Sequence, residues 1–317
     1  MTLFLCEHAL IIENGITKID DDTKFEKGVF RHCTNLTSVT IPDSVTEIGE
    51  RAFWGCDNLT TITIPDSVTQ IGSGAFSRCE NLIIEVHSNN NNYSSEDGVL
   101  FDKKKTTLLQ YSPKKTSNTY SIPDSVTEIG EYAFYKCANL TTITIPENVI
   151  QIGESAFEDC ENLTGITIPE NVIQIGESAF EDCENLTGII IPDSVTQIKN
   201  YTFSGCTNLT TITIPNSVTE IGYGAFAGCT NLITVTIPNS VTKIGEETFS
   251  DCTSLTAITI PDGITEIGRY TFSNCENLTV TIPNSVHTIY NDTFLGCDLN
   301  KITIPDSVEI LEPISID

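Results

Sequence analysis

The sequence is short of positive charge. It holds 16 Lys and Arg against 43 Asp and Glu, a formal net charge of −27 and a pI near 4.2. A nucleic-acid binder carries a basic footprint, and a surface for anionic lipid needs the same sign. Neither partner is expected. Long apolar runs are also missing: no stretch approaches the ~18 apolar residues of a membrane span, so direct membrane insertion is not expected. The start, MTLFLCEHALIIENG, has no basic segment and is interrupted by Glu7 and His8, which makes a poor secretory signal. The end, EPISID, carries no lipidation signal. The expectation is either a cytoplasmic protein or one whose export signal and anchor have been removed.

Catalytic groups are sparse. The histidines His8, His32, His87 and His287 fall in separate segments. There is no glycine-rich phosphate loop and no H-E-x-x-H. No C-x-x-C pair occurs, so zinc is not expected. The chain reads as non-catalytic and without a cofactor.

What is present is a period. Cysteine recurs at Cys33, Cys56 and Cys79, resumes at Cys137, Cys160, Cys183, Cys206, Cys229, Cys252 and Cys275, and ends at Cys297. Almost every step is 23 residues, and the last is 22. A fixed period of this size marks a stacked-repeat solenoid. Residues 59–79, LTTITIPDSVTQIGSGAFSRC, show one unit. Ile62 and Ile64 alternate with Thr61 and Thr63, as in a strand with one buried face. Pro65 ends the strand because it has no N–H to give. Val68, Ile71, Ala75, Phe76 and Cys79 return to the core, with Phe predicted to form a continuous stacked spine. Asn before Leu, as at Asn58 and Asn81, reads as a ladder satisfying buried backbone at a corner. Residues 144–166 and 167–189 are identical. Identical neighbours must pack through the same faces, which supports translational stacking.

Stacking decides how the cysteines are read. Equivalent Cβ atoms lie about one strand spacing apart, ~4.8 Å, and point the same way. A disulfide wants converging Cβ atoms ~3.8 Å apart. A ladder of buried free thiols is expected, with Cys6 outside it and potentially reactive.

The period breaks once. From Cys79 to Cys137 is 58 residues, two units plus 12. Residues 83–119 therefore read as an irregular coil inside the array. Leu82, Ile84 and Val86 open it as a strand, and residues 88–95 read as a polar loop. Residues 98–101 and 107–111 then form a hairpin with a charged tip at 102–106. Residues 1–32 read as a divergent N-terminal cap, with Leu3 and Leu5 as a short strand and a charged excursion at 20–28. Residues 298–317 read as a C-terminal cap, where Glu309, Glu312, Pro313 and Asp317 block further pairing.

The pattern L-x-x-I-x-I-P, then S-V-T-x-I-G, then A-F-x-x-C resembles BspA-like leucine-rich repeats over residues 33–310. The insert D-G-V-L-F-x-K…L-x-x-Y-x-P at 97–113 is also similar to one found in that family. The resemblance implies a right-handed, curved solenoid. Parallel strands would line its concave face, with short helical turns or second strands opposite. It further implies a cell-surface or secreted protein that adheres to host or matrix proteins or to other cells, and it brings no catalytic residues. An intracellular scaffold or regulatory repeat protein is the alternative.

Three surfaces are candidates. Outward Thr61, Thr63, Thr142, Thr144, Thr211, Thr213, Thr234 and Thr236 are good strand formers on a solvated sheet. They also suit a face that binds a protein or a glycan. An ice-matching array is a remote third reading, since Gly165, Gly188, Ile190, Ala257, Lys301 and the coil with Ile83 and Glu85 interrupt the rows. An acidic stripe follows proline at Asp43, Asp66, Asp124, Glu147, Glu170, Asp193, Asp262 and Asp306. A straight line of carboxylates does not give calcium its 6–8 converging oxygens. The third candidate is the insert, where Lys103, Lys104, Lys105, Lys114 and Lys115 reverse the charge beside Tyr111. The expected whole is one elongated monomer of about 13 coils, roughly 60 Å long at ~4.8 Å per coil.

Overall fold

A buried apolar residue between outward, mostly threonine positions builds the first strand of most coils. In the computed structural model, which describes residues 8–20, 28–308 and 310–311, thirteen such strands run from Ala9–Ile11 to Ile302–Thr303. Within each hydrogen-bonded sheet the neighbours are parallel and in register, as Thr119 faces Thr142, which faces Gly165; the pairing is divided after Ile83–Val86 and after Gly165–Thr167. Proline then turns the chain, and the Val68 N–H donates to the Pro65 carbonyl at 3.2 Å. A two-residue second strand follows, with Glu128 facing Gln151 and Gln151 facing Gln174. The expected parallel solenoid is present, with second strands rather than helices opposite the first. The one helical element among the described residues is the 3-10 turn Leu299–Lys301.

Phenylalanine forms the spine. Phe30, Phe53 and Phe76 stack with ring centroids 5.3 and 5.8 Å apart. From Phe134 to Phe294 the spacing is 5.1–5.8 Å. Burying each ring contributes roughly 1.5–3 kcal/mol. The cysteines do more than fill space. Apart from Cys137, whose Sγ donates to Tyr135 O, each free ladder Sγ donates to the carbonyl of the preceding coil's Phe, as Cys183 does to Phe157 and Cys206 to Phe180, both at 3.2 Å. Burial pushes the Cys160 thiol up to about 12, so it stays protonated and unreactive. Ten ladder cysteines, Cys56 through Cys297, are free. Cys33 is the correction, because it is disulfide-bonded. It is the first rung, so the geometry of two stacked neighbours does not govern it. The Asn ladder is present, with Asn58 Nδ2 donating to Thr34 O at 2.7 Å, but this corner is exposed rather than buried.

The expected strand at Leu3 and Leu5, Cys6, most of the 20–28 excursion, and the capping residues Glu309, Glu312, Pro313 and Asp317 lie outside the described residues.

The identical units stack Glu158 toward Glu181 and Asp159 toward Asp182. Burial pushes the Glu158 carboxyl from 4.5 up to about 7. A Ser155 hydrogen bond opposes the shift, and repulsion from Glu181, Asp159 and Asp182 adds to it. Burial raises Glu181 as well. A carboxyl whose folded pKa exceeds its unfolded one favours folding while protonated. That contribution is complete below about 4.5 and is lost as pH rises through about 7. Glu158→Gln should therefore raise Tm near pH 8 and leave it unchanged near pH 4. Thermal melts at both ends check this, and an equal shift at the two pH values would contradict it.

Candidate binding surface

The hairpin in the insert is real and larger than expected. Val99–Asp102 pairs antiparallel with Thr107–Gln110. Asp102 closes the tip by accepting the Thr106 and Thr107 N–H groups at 2.6 and 2.8 Å. A third strand, Tyr93–Glu96, pairs antiparallel with Val99–Asp102 where a polar loop was expected. Its signal was Asp97-Gly98, with φ of 49° and 77°, the dipeptide a tight hairpin turn demands.

Tyr111 is a correction. It was a surface candidate, but it is 1% exposed. Its ring takes the Phe place in the spine, 5.2 Å from Phe134. Of the five lysines, three are engaged within the insert. Lys103 Nζ donates to Asn90 O, Lys105 pairs with Glu96, and Lys115 Nζ donates to Asp97 O at 2.8 Å. Lys105 and Lys115 also lie over the Phe101 and Tyr111 rings, each 5.8 Å from the centroid. Lys104 and Lys114 are exposed. A cleft of about 660 Å³ separates the strand Ile83–Val86 from Lys114, Lys115 and Ser117.

All eight threonine candidates point outward from their strands. Four of them meet. Thr142, Thr144, Thr211 and Thr213 flank a hollow of about 540 Å³ floored by Gly165, Gly188 and Ile190. Thr63 lies instead in a smaller groove of about 330 Å³ with Asp43, Asp66 and His87. The hollow has no ionisable residue in its lining, on a protein with net charge −27. Ile190 stands 71% exposed there. An added Cβ would meet nothing within 4 Å at Gly165 and only Thr211, at 3.9 Å, at Gly188. Neither glycine has a positive φ. Packing does not require them, and the equivalent places hold Thr142 and Thr211. Sequence reasoning registered these residues only as interruptions of the threonine rows.

A model of the BspA type leucine rich repeat region matches residues 9–111, 110–232 and 196–315, in six copies. The chain belongs to the BspA-type leucine-rich repeat family. No curated protein matches it in sequence. Among solved structures it is similar to a leucine rich cell surface protein of Faecalibacterium prausnitzii. Identity there is 35% and the TM-score 0.58, over 79% of this chain and 59% of that one. The chain thus spans under two thirds of that relative's length. A leucine-rich repeat protein of Eubacterium ventriosum is 28% identical with a TM-score of 0.61, covering 98% and 85% of the two chains. The pneumococcal vaccine antigen PcpA is 25% identical with a TM-score of 0.54, covering 90% and 64%. In this BspA-type array Ile, Phe and Cys are buried coil after coil, while the outward first-strand positions of successive coils hold Thr, Gly, Ala or Ile.

Proposed function

We propose that the chain is a non-catalytic scaffold of the adhesin type, displayed at a cell surface, that binds a protein partner on its first-strand face. The observation that carries this reading is the uncharged hollow at Gly165, Gly188 and Ile190, flanked by Thr142, Thr144, Thr211 and Thr213. Glycine in a strand leaves room for close approach by another molecule. An exposed isoleucine offers that molecule apolar contact. The lining holds no aromatic platform for a sugar ring, which favours a protein over a glycan. Surface display is supported by the relatives described as a cell surface protein and as a vaccine antigen. The disulfide at Cys33 fits an oxidising compartment.

Two measurements test this reading. Live cells treated with a membrane-impermeant biotin reagent should label the protein, and failure to label would return it to an intracellular scaffold. In a solid-phase assay on immobilised matrix proteins, Lys104→Glu with Lys114→Glu should bind like the wild type. Loss of binding in that variant would move the site to the insert.

A further inference from the structure

The hydrogen-bonded sheets are divided at more than one level, between Gly165–Thr167 and Gly188–Ile190 among others, but at one level the core and the aromatic spine are interrupted as well. The apolar core divides there. Residues from Ile12 to Ile84 form one buried cluster, and those from Leu108 to Ile289 form another. The strand Val99–Asp102 stands between them, with Leu100 in the first cluster and Val99 and Phe101 in the second. The aromatic spine stops at Phe76 and restarts at Tyr111. Both sheets open at the same level. On the first-strand side lies the cleft of about 660 Å³ beside Ile83–Val86. On the second-strand side a cleft of about 250 Å³ separates Ile71–Phe76 from Thr107, Gln110 and Glu131. The insert covers the edges thus exposed with hydroxyls. Ser112 Oγ donates to Leu82 O, Ser95 Oγ accepts the Val86 N–H, and Tyr93 Oη accepts the Ile71 N–H.

A cluster of rings spans the break. Trp54, the chain's one tryptophan, packs edge-on to Tyr132 at 5.1 Å and lies 5.3 Å from Tyr135. These three rings form a small buried cluster of their own. Arg51 lies over both Trp54 and Tyr132, with its guanidinium carbon 5.2 and 5.4 Å from the ring centroids. Its Nη2 donates to the Tyr132 hydroxyl at 2.7 Å, and that hydroxyl donates to Glu154 at 2.9 Å. Gly74 makes the approach possible. Its φ is +61°, and a Cβ there would lie 3.2 Å from Trp54 and 3.3 Å from Tyr132. Tryptophan and two tyrosines thus reach across a gap that the regular packing does not close.

We propose that this level is a latched joint. The chain is two rigid stacks pivoting about the strand Val99–Asp102, and the Trp54–Tyr132–Tyr135 cluster with Arg51 is the latch that fixes their angle. Opening the latch changes the curvature of the first-strand face without unfolding either stack. The inference rests on the joint alone and stands whether or not the hollow binds a partner.

Trp54 is a built-in reporter. In the full chain, Tyr135→Ala should shift Trp54 emission to the red and increase the radius of gyration by small-angle scattering. Far-UV circular dichroism should stay unchanged. Arg51→Met keeps the apolar stem but removes the hydrogen bond and the charge over the rings, and should give the same changes in smaller measure. Loss of far-UV signal in both variants would show that the cluster is ordinary core and overturn the proposal. So would unchanged emission with an unchanged radius of gyration.

Discussion

Phe180→Ala should cost about 3–5 kcal/mol, the range for emptying a well-packed phenylalanine site. Phe180 is fully buried, and its ring stacks on Phe157 at 5.2 Å and on Phe203 at 5.6 Å. The loss therefore falls on two interfaces at once. Stability in such an array is close to a sum over coils and their nearest-neighbour contacts, so a void in the middle weakens the coupling between its two flanks. Phe294 provides the control. It is only partly buried, and its ring stacks on Phe272. Phe294→Ala should cost clearly less. Urea titrations of both variants measure this, and equal losses would rule out nearest-neighbour coupling through the rings.

The second large effect concerns binding. Restoring threonine in the first-strand rows, with Gly165→Thr and Gly188→Thr together, should fill the hollow. Stability should hold or rise, because threonine suits a strand better than glycine and the space for its Cβ is open. Affinity for a protein partner should fall at least tenfold, about 1.4 kcal/mol. A partner protein first identified on immobilised matrix components supplies the assay, with Tm measured on the same preparation. A variant that is as stable as the wild type and binds as well would remove the hollow from the interface. Binding retained there but lost with Lys104→Glu and Lys114→Glu would assign recognition to the insert.

The spine, the strand faces and the thiol ladder were legible because every coil restates them. Phe157 and Phe180 occupy the same place in identical units, so one assignment serves both. Legibility failed where the count was lost. Tyr111 lies one period before Phe134, at the spine position, yet it follows Leu108 by three residues where Ile129 and Phe134 are five apart, and that shortened step hid the register. The aromatic ring of Tyr111 then passed for a surface feature. Residues 93–95 were read as loop because they are polar, although Asp97-Gly98 announced a turn with a strand on either side. The latch was not legible at all. Arg51 and Tyr132 are 81 residues apart, and they sit where successive coils carry unrelated side chains. No periodicity points from one to the other. The hollow lay between these extremes: its glycines were seen, but only the open space above them gives them meaning.

The hollow also lies across the duplicated units. Gly165 belongs to the first copy, residues 144–166, and Gly188 to the second, residues 167–189. Each further tandem copy would add one coil and one more glycine, lengthening the floor by ~4.8 Å while leaving both end structures untouched. The footprint offered to a partner can therefore grow or shrink in whole steps by recombination within the gene. No point mutation is needed, and the rest of the molecule need not refold around the change.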